Sequence, residues 1–523
     1  MAMDLDTIQL IIPMSGTGQR FLDAGYTRPK PLIEVDGSPI IEHVLKMFPG
    51  VVDVTFICNK DHLRDTDMES LLTLLCPSAR ILSIDPHKKG PVYTVAQVLD
   101  HLSDSKETIV SYCDFGTLWD FNGFLEELDS TKASGGIPCY RGFHPHMLGS
   151  DNYAFCREEE GNLLEIKEKE PFTNDRMSEF ASNGIYHFSS GSLVKKYFRQ
   201  LIDLDINLKG EYYISLVYNL MVRDGLKVKI FEIEKMLQWG TPYDLEIYKG
   251  WSRYFNSRAQ QPPPPNNPPG TVLVLPAAGA GTRFKKEGFT IPKPLLPVDD
   301  LPMVVRASLS LPRCDNNVFI FQKVHLKDES LCSVISDNFP ESTMIHLDHT
   351  TEGYACTCKV GIDGINLDPE SPLMVSPCDN GVTYDVEEYS HLVNNDDIDI
   401  IAWSFTNNPT SKHNPNMYSW LGVDPNNFIH HVSCKDFIYE NPLESQALIG
   451  TMFFRKARFF LDGLAQNIKE NVRTNGEFCV DSILNQNIKA GLKVKAFPVS
   501  NYICWGTPQD YRTYNYWADF FNK

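Results

Sequence analysis

The chain has 523 residues, 42% of them hydrophobic and 22% charged, which is more than one hydrophobic core usually serves at roughly 100–250 residues per domain. Its formal net charge of −19 repels a phosphate backbone or an anionic membrane surface, so the composition argues against a nucleic-acid partner and a membrane partner alike. Thirteen cysteines without dense, even spacing predict reduced thiols rather than a disulfide framework, and the C-x-C of Cys356 and Cys358 lacks a second pair at zinc-ribbon spacing.

The N-terminal segment MAMDLDTIQLIIPMSG has no basic n-region and only a short apolar run, Ile8 to Ile12, which predicts a buried strand and a cytoplasmic chain rather than a signal peptide. No stretch approaches the roughly 18 apolar residues of a membrane span. Downstream, VDVTFIC, ARILSID and TIVSYCD continue as β-branched runs, with SPIIEHVLKMF and PVYTVAQVLDHL as amphipathic helices between them. That alternation predicts an α/β fold, Rossmann-like, with a mostly parallel sheet flanked by helices. Ligands of such sheets bind at the carboxyl ends of the strands.

The composition breaks at AQQPPPPNNPPG, Ala259 to Gly270, which predicts a proline-rich, extended linker. On either side of it the sequence repeats. IQLIIPMSGTGQRFLDAGYTRPKPLIEVDGSPI is answered by TVLVLPAAGAGTRFKKEGFTIPKPLLPVDDLPM, and Arg20 matches Arg283 and Lys30 matches Lys293 at an offset of 263. Asp114 in SYCDFG matches Asp379 in SPCDNG at an offset of 265, and Glu211 matches Glu477 at 266. So small a drift predicts two copies of one domain, residues 1–258 and 271–523, with the linker at 259–270.

Each copy opens with a glycine loop after its first strand: Ser15, Gly16, Thr17 and Gly18, then Ala278, Gly279, Ala280 and Gly281. Glycines let backbone N–H groups approach phosphate oxygens closely. The third glycine of a dinucleotide fingerprint and the Gly-Lys-Ser/Thr of a phosphate loop are both missing. Pro-Lys-Pro-Leu follows in each copy, holding Lys30 or Lys293 between two prolines whose restricted backbone aims the ammonium at little ordering cost. An exposed turn lysine is the plainer reading of the same residues. Asp114 and Asp379 end predicted strands, where a carboxylate suits a hard cation or simply caps a turn.

Gly-x-Gly-x-Arg-Phe followed by Pro-Lys-Pro-Leu-x-x-Val resembles the signature of the sugar-phosphate nucleotidyltransferases, and the resemblance runs through both copies. It implies two tandem domains with a nucleotide-binding fold of the GT-A-like kind. It also implies a transferase reaction of nucleotide-sugar or polysaccharide biosynthesis: the phosphate of a small phosphorylated acceptor attacks the α-phosphorus of a nucleoside triphosphate and pyrophosphate leaves. Mg²⁺ is the metal implied, with Asp114 and Asp379 as its ligands. Arg20, Lys30, Arg283 and Lys293 are the implied catalytic cations. The resemblance further implies an acceptor site at Lys169, Asn183, Gly184 and Glu211, and in the second copy at Lys435 and Glu477, although Cys434 stands there where the first copy has Glu168. For Glu211 and Glu477, a helix N-terminal carboxylate is the alternative. Where many relatives carry a second metal aspartate, this chain has Gln238-Trp239-Gly240-Thr241 and Cys504-Trp505-Gly506-Thr507. Asp244 and Asp510 are poor replacements.

Other readings stay open at this level. One half could be a regulatory pseudo-enzyme, or the fold could serve a glycosyltransferase, which would ordinarily show Asp-x-Asp where this chain has CDFG and CDNG. The duplication predicts an internal pseudo-dimer or a homo-oligomer. His62, His325, His346 and His349 lack metal-ligand spacing and are expected to be structural or at the surface.

Overall fold

The structure is a computed structural model and describes residues 5–327, 329–408 and 410–523. The chain divides into two compact units, Met1–Arg253 and Tyr254–Lys523.

The first unit is built on a mixed sheet. Arg80–Ile84, Asp53–Asn59, Ile8–Met14 and Glu107–Ser111 lie side by side and parallel. The direction then reverses at Ile185–Phe188, which runs antiparallel to both neighbours, before Gly135–Tyr140 and Val228–Glu232 form a second parallel pair. The hairpin of Ala154–Glu159 with Asn162–Glu168 extends the far side. Six of the seven residues of Ile8–Met14 are buried, which is what a central strand covered on both faces requires. The helix Gly191–Asp203 shows why it packs there: Val194, Tyr197, Phe198 and Leu201 recur at helical spacing and are buried, and Ser190 caps its start by accepting from the Leu193 amide. The helix expected over PVYTVAQVLDHL is shorter than its pattern, ending at Ala96; Val98 leaves helical geometry at φ −125° and a single 3-10 turn, Leu99–His101, completes the segment.

The second unit repeats that order strand for strand: Ser342–Leu347, Asn316–Gln322, Val272–Ala277, Leu373–Val375, Ala447–Phe454, Ile400–Phe405 and Val494–Pro498. Parallel and antiparallel pairings fall at the same places. Part of the proline-rich segment is held within this unit instead of running free: the Pro265 carbonyl accepts from the Arg313 amide, and buried Asn267 donates its amide to the Arg313 carbonyl and accepts from the Tyr389 hydroxyl. Asparagines between the prolines supply the donors that proline lacks.

Two features of each unit place the residues of interest. The first strand and its neighbour end together, Ile11 opposite Val110 in one unit and Val274 opposite Val375 in the other, so the loops that follow them meet. A small two-stranded ribbon then folds over that meeting point, Phe115–Leu118 with Lys235–Gln238 and Asn380–Thr383 with Asn501–Cys504.

Candidate functional site

The loop Ser15–Gly18 leads into the short helix Gln19–Asp23, with Gly18 at φ 67°; Gly281 takes φ 61° at the same place in the second unit. A left-handed turn there costs a glycine nothing. It lets the chain fold against the Pro-Lys-Pro segment: a Cβ on Gly18 would lie 4.0 Å from the Lys30 Cβ, and one on Gly281 would lie 3.6 Å from that of Lys293. Ser15 does not face outward as a ligand hydroxyl; it is buried and shares a 2.7 Å hydrogen bond with Thr94.

Lys30 reaches the strand-end aspartate directly, Nζ to Asp114 Oδ2 at 2.6 Å. Burial pulls the ammonium down, and the carboxylate outweighs it, leaving the Lys30 pKa above its ordinary value. Lys293 and Asp379 form the same pair, with the same balance of burial and charge. The ribbon closes over both. Trp239 donates its amide to the Asp114 carbonyl at 3.2 Å, and Trp505 donates to that of Asp379 at 2.8 Å. This sets Gly240 so close that a Cβ would stand 2.9 Å from Asp114 Oδ2; at Gly506 the distance to Asp379 Oδ2 would be 3.3 Å.

The missing second carboxylate is not restored by its nearest substitute. Asp244 is occupied at the start of its own helix, where its amide donates to the Thr241 hydroxyl and its carboxylate accepts from that hydroxyl at 2.6 Å, and burial pushes its carboxyl up to about 6. Asp510 repeats this with Thr507 and the Cys504 thiol. Among the described residues no group of three His, Cys, Asp or Glu side chains gathers as a metal cage. A lone carboxylate does suit Mg²⁺, which keeps several waters and takes its remaining ligands from substrate phosphates.

Exposed Arg20 and Asp114 share a cavity of about 180 Å³ with Lys169, Asn183 and Gly184. Lys169 sits at φ 58° at the end of the Asn162–Glu168 strand, and its Nζ lies 2.5 Å from the Tyr213 hydroxyl. Glu211 is not part of that wall; it accepts from the Tyr213 hydroxyl at 2.8 Å and bears on the cavity through it. In the second unit a cavity of about 300 Å³ gathers Gly279, Gly281, Arg283, Lys293 and Asp379. Lys435 and Glu477 lie outside its lining, although Lys435 keeps the left-handed backbone of Lys169, at φ 52°.

Several participants escape a motif reading. Tyr112, Tyr153, Tyr186 and Tyr213 come from four separate segments to line the first cavity. Glu168, beside Lys169, is half-buried and accepts from the Ser215 hydroxyl at 2.6 Å. In the second unit the residue matching Ser215 is Asp481, which is half-buried, accepts from the Ser419 hydroxyl and lies within electrostatic reach of Lys435 and Cys434. The exchange of Glu168 and Ser215 for Cys434 and Asp481 is visible when the two halves are aligned at an offset of 266.

Residues 10–170 match the MobA-like NTP transferase domain. The chain is 26% identical over 227 residues to the bifunctional protein GlmU of Staphylococcus epidermidis, covering 42% of this chain and 47% of that protein. It is 25% identical over 225 residues to the GlmU of Chromohalobacter salexigens, covering 42% and 46%. The chain therefore spans about half the length of the curated relatives it matches. Among solved structures it is similar to a nucleoside-diphosphate-sugar pyrophosphorylase from Vibrio cholerae, with 22% identity, a TM-score of 0.39 and coverage of 46% of this chain and 99% of that one. It is also similar to the inositol-1-phosphate CTP transferase of T. maritima, with 15% identity, a TM-score of 0.36 and coverage of 46% and 93%. Residues 10–170 are thus similar to a MobA-like NTP transferase domain, and about two-fifths of the chain is similar to part of the bifunctional GlmU proteins.

Proposed function

We propose that each unit transfers a nucleotidyl group from a nucleoside triphosphate to a small phosphorylated acceptor, releasing pyrophosphate and forming a nucleotide-activated precursor. The observation that carries this reading is the pairing of the Pro-Lys-Pro lysine with the strand-end aspartate beside a glycine loop, made once in each unit.

In this reading an acceptor phosphate oxygen attacks the α-phosphorus in line, a new P–O bond forms, and the bond to the β-phosphate oxygen breaks as pyrophosphate departs. The loop amides of Gly16–Gly18 and Gly279–Gly281 cradle the triphosphate. Arg20 and Lys30, or Arg283 and Lys293, offset the charge that builds on it, where fixed cations act most strongly in a site shielded from water. Lys169 and Lys435 hold the acceptor phosphate. Asp114 and Asp379 are the residues that would hold Mg²⁺, which when bound neutralises charge on the phosphate oxygens. The Lys30–Asp114 contact holds the two groups aligned until the triphosphate separates them. No helix of the described residues is long and apolar enough to cross a membrane.

Pyrophosphate release from a matrix of five nucleoside triphosphates and a panel of phosphorylated acceptors tests the reading, with the whole chain and with Asp114→Ala and Asp379→Ala. Loss of a different substrate pair in each variant is expected. Loss confined to one variant would make the other half a regulatory copy. Absence of pyrophosphate release and of nucleotide binding by calorimetry would overturn the proposal.

A further inference from the structure

We infer that the first unit's acceptor is a phosphorus acid bearing an ammonium group, a phosphorylated or phosphonylated amine, and not a polyhydroxylated sugar phosphate. This rests on reading the cavity around Lys169 as the acceptor site.

The argument begins with what the cavity wall has to offer. Most of its polar side chains already have hydrogen-bond partners, the Tyr112 hydroxyl being an exception. Asn183 donates to the Thr117 hydroxyl and accepts from the Ile185 amide. Gln238 donates to the Tyr153 hydroxyl and accepts from the Gly240 amide, and the Ser182 hydroxyl accepts from the Gly184 amide. A sugar needs several fresh donors and acceptors to replace the water its hydroxyls lose. Besides Arg20, Asp114 and Lys169, what the wall presents is aromatic surface together with the Glu168 carboxylate.

Tyr112 and Tyr186 stand edge to face with ring centroids 5.7 Å apart. Both, together with Tyr213, line the cavity and lie within electrostatic reach of the half-buried Glu168 carboxylate. Tyrosine faces carry negative potential, and with a carboxylate behind them they form the kind of box that takes an ammonium or a quaternary ammonium. The box already receives one cation: the Lys169 ammonium lies 4.4 Å from the Tyr213 ring centroid. When that lysine turns to an acceptor phosphate, the ligand's own cation takes the place beside Tyr213 and Glu168, and phosphate and ammonium are read by opposite ends of one small cavity.

The second unit serves as an internal contrast. The places of Tyr112, Tyr186, Tyr213 and Glu168 are taken there by Pro377, Met452, Cys479 and Cys434. No aromatic ring remains at any of them, so the cation box belongs to the first unit alone and the two halves take different acceptors.

Calorimetry on the whole chain with phosphocholine, 2-aminoethylphosphonate, glycerol 3-phosphate and glucose 1-phosphate tests this independently of turnover. At least one of the two cationic ligands is expected to bind tenfold or more tightly than either neutral one. That preference should shrink below threefold in Glu168→Gln, which keeps the shape of the side chain, and in Tyr213→Leu, with thermal melts verifying that both variants fold. Equal affinities, a preference for glucose 1-phosphate, or a cationic preference unchanged in well-folded Glu168→Gln would overturn the inference. Pyrophosphate release is read in parallel. Turnover of a sugar phosphate with no cationic preference leaves nucleotidyl transfer standing and removes the amine, whereas a cationic preference without any turnover keeps the box and removes the transfer.

Discussion

Glu168 accepts a hydrogen bond from Ser215 across 47 residues of sequence, and the second unit answers with Cys434 and Asp481 in the same two places. The acid has moved from the strand end to the first turn of the facing helix, and each unit retains one half-buried carboxylate there. Each acts on the neighbouring lysine, Lys169 or Lys435. The charge lost at Cys434 is thus supplied at this contact by Asp481, and burial pushes the thiol up to about 12, so at neutral pH it is a neutral filler. Two carboxylates in that contact would repel each other with little water to screen them. Cys434→Glu alone is expected to lower stability by about 2–3 kcal/mol, whereas Cys434→Glu combined with Asp481→Ser recreates the first unit's pair and recovers most of it. Urea denaturation of the four members of this double-mutant cycle should give a coupling energy of about 1–3 kcal/mol. Additive losses would mean that the two positions are independent.

The ribbon glycine makes a second prediction. In Gly240→Ala the new methyl group meets Asp114 Oδ2 at 2.9 Å and Gln238 Oε1 at 3.3 Å. Asp114 must give way, and with it the Lys30 contact that fixes its orientation. A shift of that size at reacting groups lowers kcat by about 10- to 100-fold while leaving nucleotide affinity nearly intact, since the glycine loop is untouched. Gly506→Ala, with 3.3 Å to Asp379 Oδ2, should cost the second unit's reaction less. Steady-state kinetics on the substrate pair of each half measures both, and equal losses would show that the close approach is not what sets the effect.

The halves of the site differ in how far sequence exposes them. The glycine loops, Lys30, Asp114 and their counterparts are carried by short contiguous motifs next to apolar runs, and parallel strands bring the ends of such runs together almost by necessity. The chain reversal at Ile185–Phe188 carries no local mark, because a buried strand reads alike in either direction. The tyrosines around Glu168 arise from segments that meet only in the folded sheet, and the Glu168–Ser215 contact joins a strand to a helix. Asn267 illustrates the same limit in the linker: composition foretold extended proline-rich chain, and the hydrogen bonds that hold it depend on Arg313 and Tyr389 far along the sequence.

Arg20 and Lys169 line one cavity, and under the proposed function their removal should separate kinetically. Arg20→Ala withdraws a charge that matters as the α-phosphorus reacts, and is expected to lower kcat by about 100-fold, the scale of losing one preorganised stabilising contact. Lys169→Ala removes an anchor for the acceptor and should chiefly raise the acceptor KM, by about 10- to 100-fold for a lost charge-assisted contact. Initial rates over a grid of nucleotide and acceptor concentrations distinguish the two. If both variants fall in kcat alone, Lys169 does not anchor the acceptor.

Glu168 also sets a pH dependence whose sign follows from its surroundings. Burial raises its carboxyl pKa, offset in part by the Ser215 hydrogen bond and Lys169, and reinforced by Glu211; Tyr112, Tyr186 and Tyr213 complete the set of groups around it. The folded state thus holds the proton longer than the unfolded chain does. Stability from this group is fully present below the ordinary glutamate pKa and is lost as pH rises through the raised folded value. Glu168→Gln removes that loss while still accepting from Ser215. Its melting temperature should match the parent near pH 4 and exceed it near pH 7, each kcal/mol of relief being worth about 2–4 °C in a domain of this size. Ligand binding runs the other way. A cation in the tyrosine box needs the ionised carboxylate, so phosphocholine affinity should fall on acidification, and do so at a higher pH than an exposed glutamate would dictate. The same titration on Glu168→Gln should be flatter, and an unchanged profile there would assign the pH dependence to the ligand's phosphate instead.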